Sequence, residues 1–200
     1  LDIQKQINDV EGMATAYSNL GDMYSYNGNV VKALEYAEKG LKLREKLGNK
    51  LNVSSSLNTI ASIYSELGQM DKSIEYQFKV LEILKNTNNK RELGICYNNL
   101  GFCYSRINEP EKALKYYHER MKIATEIHDK RGIAITLANI GMVYSAKKDF
   151  PQAIEYMSKA LEMNKKINDL KAVSLVSNNL GAVYFKMNDL QRALNYTNEA

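Results

Sequence analysis

Hydrophobic and polar positions along this 200-residue chain recur with a period of forty residues, without insertion or deletion. In each unit a Leu or Ile precedes a Gly or Ala, and a tyrosine stands three residues after the small residue. A second tyrosine column follows twelve residues later. The two columns are Tyr24, Tyr64, Tyr104, Tyr144 and Tyr184, then Tyr36, Tyr76, Tyr116, Tyr156 and Tyr196. A fixed period of this size indicates a repeat architecture, so these tyrosines are attributed to the fold.

Each unit contains two stretches with the apolar spacing of an amphipathic helix. In the third unit the first stretch covers residues 93–106, and the break at 108–110 places a proline where a new helix can begin. The second stretch covers about residues 111–127 and stops at 128–129. Equivalent breaks occur at 27–29, 68–69, 148–149 and 188–189. No stretch alternates with period two, so the sequence predicts an all-α protein.

The repeated Leu-Gly-x-x-Tyr motif and a small residue in the second helix resemble the tetratricopeptide repeat. The second-helix position holds Ala33, Ala113, Ala153 and Ala193, with Ser73 in the second unit. The usual repeat has about 34 residues, and the forty-residue units look like those of Pins/LGN-type adaptors, kinesin light chain and bacterial sensors and regulators. The large aromatic residue expected early in the first helix is diluted to Tyr17, Leu57, Tyr97, Leu137 and Ser177. The resemblance implies a right-handed α-solenoid of stacked antiparallel helix pairs.

The period divides the chain into repeats of a single solenoid domain. Residues 1–10 are the tail of a preceding repeat, because KQINDV at 5–10 matches KKINDL at 165–170. Repeats one to five cover residues 11–50, 51–90, 91–130, 131–170 and 171–200. Ala200 stops in register with Ala160, inside a second helix. We therefore expect a fragment of a longer array with uncapped ends.

Helical geometry separates a packing side from a free side in each first helix. At ~100° per residue, the Leu, the small residue and the Tyr share the packing side. The residue just before the Leu lies on the opposite side. The residues four positions before it, three positions after it and seven positions after it lie on that side too. These four positions are here called the first-helix stripe. It is polar in repeats one and two and more apolar in repeats three to five. Its candidate binding residues are Asn19, Asn99, Asn139, Asn179, Ile95, Phe102, Ile135, Met142, Leu175, Arg106 and Lys186.

The resemblance implies that first helices line a concave groove in which peptides bind. Asparagine amides can pair with any peptide backbone, exposed apolar residues can give affinity, and Arg106 and Lys186 would favour an acidic residue on the partner. Two other interpretations stay open. The asparagines can bond to a neighbouring first helix and stiffen the stack, and adjacent first helices can cover the apolar residues.

Composition excludes several function classes. A net charge of +4 without a basic stripe does not indicate a nucleic-acid partner. No apolar run approaches the ~20 residues of a membrane span, so direct membrane insertion is not expected. His118 and His128 lack metal-ligand spacing, and phosphate loops and nucleophile motifs are absent. We expect no catalysis, metal or cofactor, and we interpret Cys96 and Cys103 as free, buried thiols.

These observations predict a non-catalytic interaction scaffold that binds a peptide or helical segment of a partner along the groove. The alternative is a sensory or regulatory segment of a larger signalling protein, such as a histidine kinase, cyclase or transcription regulator. In that case the ligand can be a segment of the same full-length chain. Self-association through the uncapped ends is a further expectation. Free thiols favour the cytoplasm, and a periplasmic sensor remains the other interpretation.

Overall fold

The computed structural model describes residues 9–198, which form helices joined by tight turns without any β-strand. The helices are α1 (Val10–Tyr26), α2 (Val30–Leu47), α3 (Lys50–Glu66), α4 (Met70–Lys85), α5 (Lys90–Arg106), α6 (Pro110–Glu126), α7 (Lys130–Ala146), α8 (Phe150–Lys166), α9 (Leu170–Lys186) and α10 (Leu190–Asn198). The predicted all-α class is confirmed. The tail assigned to residues 1–8 and the register of Ala200 lie outside the described residues. No helix within 9–198 is long and apolar enough to cross a membrane.

Most turns between helices share one construction, repeated at intervals of twenty residues. The left-handed residues are Gly28, Gly48, Gly68, Asn108, His128, Lys148, Asn168 and Asn188. After Lys148, for example, the Asp149 amide donates to the Tyr144 carbonyl at 3.0 Å, and its Oδ1 accepts from the Gln152 amide at 3.3 Å. The first bond closes the ending helix and the second caps the next one. The predicted breaks are therefore confirmed, and they fix helix length.

The chain divides into two compact units at the boundary between Cys103 and Tyr104, within α5. In unit 1, α1 packs on α2, α2 on α3 and α3 on α4. A buried cluster joins Ala33 and Ala37 of α2 to Ile60 and Ile63 of α3. The second helix of one repeat therefore packs on the first helix of the next.

Unit 2 repeats this arrangement with α6 to α10. Ala113 and Tyr117 of α6 pack against Ile140 and Val143 of α7. A second cluster joins α8 to α9 and contains Ala153, Met157, Leu180 and Val183, among others. Each of these residues is at most 2% exposed, so the core runs between successive helices within the unit.

The small residue of the Leu-Gly pair brings the two helices of one repeat into close contact. A Cβ placed on Gly141 would lie 3.1 Å from the Ala153 carbonyl oxygen and 2.6 Å from Met157 Cγ. In unit 1, a Cβ on Gly21 would lie 3.2 Å from the Ala33 carbonyl oxygen. The predicted role of the small residue is confirmed in both units.

The two tyrosine columns stack in pairs beside this contact. Tyr24 and Tyr36 lie with ring centroids 5.4 Å apart and nearly parallel planes, at 3°. The other pairs are Tyr64–Tyr76, Tyr104–Tyr116, Tyr144–Tyr156 and Tyr184–Tyr196. Lysine ammonium groups, or the Arg192 guanidinium in the fifth pair, lie over these rings, as Lys32 does over Tyr24 at 5.1 Å. The sequence predicted that the first tyrosine column lies within the core. In the structure, the rings of this column are half-buried, except that of Tyr184, which is buried. The reason is that each tyrosine pair fills the edge of the helix contact.

Substitutions at Gly141 test the close helix contact. Gly141→Val is expected to lower the free energy of unfolding by about 2–3 kcal/mol, because the branched side chain overpacks the contact with α8. Gly141→Ala is the matched control and should cost less than about 1 kcal/mol, since alanine's better helix propensity offsets a smaller clash. Ala61 already occupies this position in repeat two. Urea denaturation measures both, and equal stability of Gly141→Val and the parent would contradict the contact.

Candidate functional site

The first-helix stripe lies on α1, α3, α5, α7 and α9, away from the small-residue contact. Unit 1 contains Asn19, Ile95, Asn99 and Phe102, and unit 2 contains Arg106, Ile135, Asn139, Met142, Leu175, Asn179 and Lys186. The predicted site residues are therefore distributed over both units, and each unit is described separately.

The apolar stripe residues are exposed, whereas the packing side of the same helices is closed. In unit 1, Phe102 is 44% exposed while Leu100 is fully buried. In unit 2, Met142 is 50% exposed while Ile140 is 1% exposed. Ile135 and Leu175 are also exposed, and Ile95 is half-buried. Neighbouring first helices therefore leave most of these side chains accessible.

In unit 1, one residue of the asparagine column forms a hydrogen bond to a neighbouring first helix. The Asn99 side-chain amide donates to Asn58 Oδ1 at 3.1 Å, which ties α5 to α3. The same oxygen accepts from Gln77 Nε2 at 2.8 Å. Asn99 is thus half-buried and linked to the neighbouring first helix, as the stiffening interpretation predicts. Asn19 is exposed, and in unit 2 Asn139 and Asn179 are half-buried.

Side-chain bonds between neighbouring first helices join residues 41 positions apart. In unit 1 the Ser25 hydroxyl donates to Glu66 Oε2 at 2.7 Å. In unit 2 the Lys186 ammonium donates to the Ser145 hydroxyl at 3.4 Å. The Asn99–Asn58 bond has the same spacing. These bonds place each stripe beside the stripe of the adjacent repeat in the same unit.

Two cavities adjoin the stripe along α3. One, of about 530 Å³, lies between α1 and α3 and is lined by Asp22 and Glu66, among others. The other, of about 330 Å³, includes Glu66, Gln77 and Phe102 in its lining. Both are lined by Ser62 and Glu66, so the two cavities adjoin, and together they are here called the unit 1 groove.

Sequence reasoning missed Asn58 and Gln77 as candidate site residues. Asn58 lines the larger cavity and Gln77 the smaller one. A signal was present for Gln77, because its column holds Ala37, Tyr117, Met157 and Thr197 in the other repeats. A buried amide among mostly apolar residues marks a position that packing alone does not require.

The charged stripe residues differ between the units. Unit 1 has Asp22 and Glu66, and unit 2 has Arg106 and Lys186. Burial, and to a smaller extent the Glu66 carboxylate, raises the pKa of Asp22 above its usual value. The sequence prediction named the two cations of unit 2, and the stripe of unit 1 is acidic instead.

The cysteines lie in the interior and His128 lies at the surface. Cys96 and Cys103 are free and buried, and the Cys96 thiol donates to the Gln77 carbonyl oxygen at 3.3 Å. Burial raises the pKa of Cys96 to about 12. His128 occupies an exposed left-handed turn. Within 9–198, no three His, Cys, Asp or Glu side chains are grouped so that they could hold a metal ion.

Replacing Asp22 by asparagine tests the acidic region. The pKa of Asp22 is raised in the folded chain, so its ionised carboxylate destabilises the fold at pH 7. At a pH well below the unfolded pKa of about 3.9 the carboxyl is protonated in both states, and this destabilisation is absent. Asp22→Asn should therefore raise the free energy of unfolding at pH 7 by less than about 1 kcal/mol, as expected for a solvent-screened charge. Urea denaturation at pH 7 and pH 3 measures the effect. The gain should shrink in a Glu66→Gln background, and an equal gain at both pH values would contradict the assignment.

Comparison with known proteins identifies a family and a fold. The tetratricopeptide repeat family model matches residues 12–86, 52–126 and 132–200. No curated protein sequence matches the chain. The chain is similar to the crystal structure of BtubC (BKLC) from P. vanneervenii, with a TM-score of 0.82 and 23% identity over 94% of this chain and 78% of that one.

Two further solved structures are similar along nearly the whole chain. One is a signal transduction ATPase with numerous domains from Pyrococcus horikoshii, which has a tetratricopeptide repeat sensor. Its TM-score is 0.83 with 22% identity, and the match covers 95% of this chain and 30% of that one. The other is the Rap conjugation gene regulator of the plasmid pLS20 in complex with the Phr* peptide; the TM-score is 0.78 with 19% identity, over 92% of this chain and 51% of that one. The chain thus spans about a third to a half of these two proteins.

The structural likenesses and the helix pairs together establish an all-α helical-repeat solenoid class. The family model accounts for most of the chain in three overlapping or adjacent matches. The protein therefore belongs to the tetratricopeptide repeat family.

Proposed function

We propose that this segment is a non-catalytic interaction module that binds a peptide or helical segment of a partner protein on its first-helix stripe. The observation that carries the proposal is the exposure of large apolar side chains on a helix face that the fold does not need for packing. Phe102 in unit 1 and Met142 and Leu175 in unit 2 are 44%, 50% and 63% exposed. Apolar surface bordered by polar groups is typical of interaction sites.

Each type of stripe residue has a separate task in this proposal. The apolar side chains bury partner surface and supply affinity. Asparagine amides pair with the partner's backbone, since a carboxamide has two donors and an acceptor oxygen. In unit 2, Arg106 and Lys186 attract an acidic residue of the partner.

The comparisons support a peptide ligand. The Rap regulator, which this chain resembles over half of that protein's length, was solved in complex with the Phr* peptide. Its peptide belongs to that protein, and here it supports only the class of ligand. The two buried free thiols support a cytoplasmic location in the same proposal.

A second candidate is a sensory segment within a larger signalling protein. It is favoured by the similarity to the Pyrococcus horikoshii protein, whose repeats are a sensor. The stripe then binds either a signal peptide or another part of the same full-length chain. The complete reading frame discriminates between the two candidates, because a kinase, cyclase or DNA-binding domain in it would favour the sensory role.

Substitutions in the stripe test peptide binding. Peptides selected from a random display library provide the ligand, and isothermal titration calorimetry measures its affinity for each variant. Phe102→Asp or Met142→Asp should weaken binding at least tenfold, or about 1.4 kcal/mol. Asn99→Ala or Asn139→Ala should weaken it by about 1–2 kcal/mol each, through lost hydrogen bonds.

The matched control is Val31→Asp, which changes an apolar residue that is 80% exposed on the second helix α2. It should leave affinity unchanged. Thermal denaturation of each variant separates lost binding from lost stability, which matters for Asn99 because it also bonds to Asn58. Unchanged affinity in all four stripe variants, or failure to select any binding peptide, would contradict the proposal.

A further inference from the structure

The unit 1 groove concentrates negative charge without neutralising it. Asp22 and Glu66 line it, and no lysine or arginine is among its lining residues in the described part of the chain. The Ser25 hydroxyl holds the Glu66 carboxylate in place by donating to Oε2 at 2.7 Å. Burial raises the pKa of Asp22, and repulsion from the Glu66 carboxylate adds to the rise. A cation bound here relieves this repulsion.

The oxygen of a buried side-chain amide beside the same groove lacks a hydrogen-bond partner. Gln77 is 1% exposed, and its Nε2 donates to Asn58. Its Oε1 accepts no hydrogen bond. Buried acceptors are nearly always paired, and an unpaired one costs free energy that a donor recovers. Gln77 is among the residues that line the smaller cavity, so a ligand that enters this cavity comes beside the Gln77 side chain.

An aromatic ring completes the groove. Phe102 lines the smaller cavity together with Glu66 and Gln77, and 44% of its surface is exposed. A planar cation can stack on a ring face while its N–H groups donate to nearby oxygens. Guanidinium has this shape and five donors, whereas an ammonium group is a compact point charge.

We propose that the unit 1 groove is a binding site for a guanidinium group, supplied by an arginine side chain of the partner peptide. The guanidinium stacks on Phe102, pairs with the Glu66 carboxylate and donates to Gln77 Oε1. This site deepens the proposed peptide-binding function and rests on it. It also gives unit 1 a charge preference opposite to the one that Arg106 and Lys186 give unit 2.

Small model compounds test the site without knowledge of the peptide. The ¹⁵N-labelled chain is titrated with N-acetyl-arginine methylamide, and NMR chemical shifts of backbone and side-chain amides are followed. The citrulline analogue is the matched neutral probe, and the lysine analogue carries the same charge without the planar group. We expect saturable shifts centred on Ser62, Glu66, Gln77, Asn99 and Phe102. Citrulline should bind at least tenfold more weakly than arginine, and lysine at least threefold more weakly.

Variants assign the binding to the groove. Glu66→Gln should weaken arginine binding at least threefold, and Phe102→Leu should reduce the preference for arginine over lysine. Glu45→Gln changes an exposed carboxylate on α2 and should have no effect. Equal binding of arginine and citrulline, shifts centred outside the groove, or no effect of Glu66→Gln would each overturn the site.

Failure of this site is distinguishable from failure of the proposed function. If arginine does not bind but selected peptides still lose affinity on Met142→Asp, the guanidinium site is wrong and peptide binding stands. If neither the arginine compound nor any selected peptide binds, both proposals fail.

Discussion

The structure depends on the close approach of the two helices within each repeat. Gly141 and Gly21 bring a first helix against backbone atoms of its second helix at distances that a side chain larger than alanine would not permit. This contact fixes which side of the first helix faces inward. The stacked tyrosines fill the edge of the same contact, and the opposite side is left for other uses. The accessible stripe is thus a consequence of the packing requirement on the small residue.

Sequence reasoning predicted the parts of the fold that depend on local chemistry. The forty-residue period, the helix breaks and the orientation of Phe102 and Met142 all follow from helical geometry and turn-forming residues. The bond between Asn99 and Asn58 did not follow, because it depends on the side-by-side register of two helices. Projection around one helix gives the direction of a side chain but not its neighbour. The same limit explains why Gln77 was missed and why the tyrosines were placed too deep.

Asn99 shows how the stiffening and groove-lining interpretations of the asparagine column can hold together. In unit 1, Asn99 donates to a neighbouring first helix and also lines a cavity beside Phe102. A carboxamide has enough donors and acceptors for both. Holding the amide by a bond to the scaffold also limits the side-chain freedom that binding would otherwise have to remove. For Asn99, stiffening the stack and presenting a polar group to a ligand are therefore compatible.

Methionine oxidation tests most directly whether each first helix turns its small residue inward and its stripe outward. Met142 follows Gly141 in the sequence and is 50% exposed, whereas Met157 packs against Gly141 and is 2% exposed. Brief treatment of the native chain with hydrogen peroxide, followed by peptide mass spectrometry, compares two residues of one type in one unit. We predict that Met142 oxidises at least tenfold faster than Met157, and that denaturation makes the rates equal. Equal rates in the native chain, or faster oxidation of Met157, would contradict the orientation of the helix.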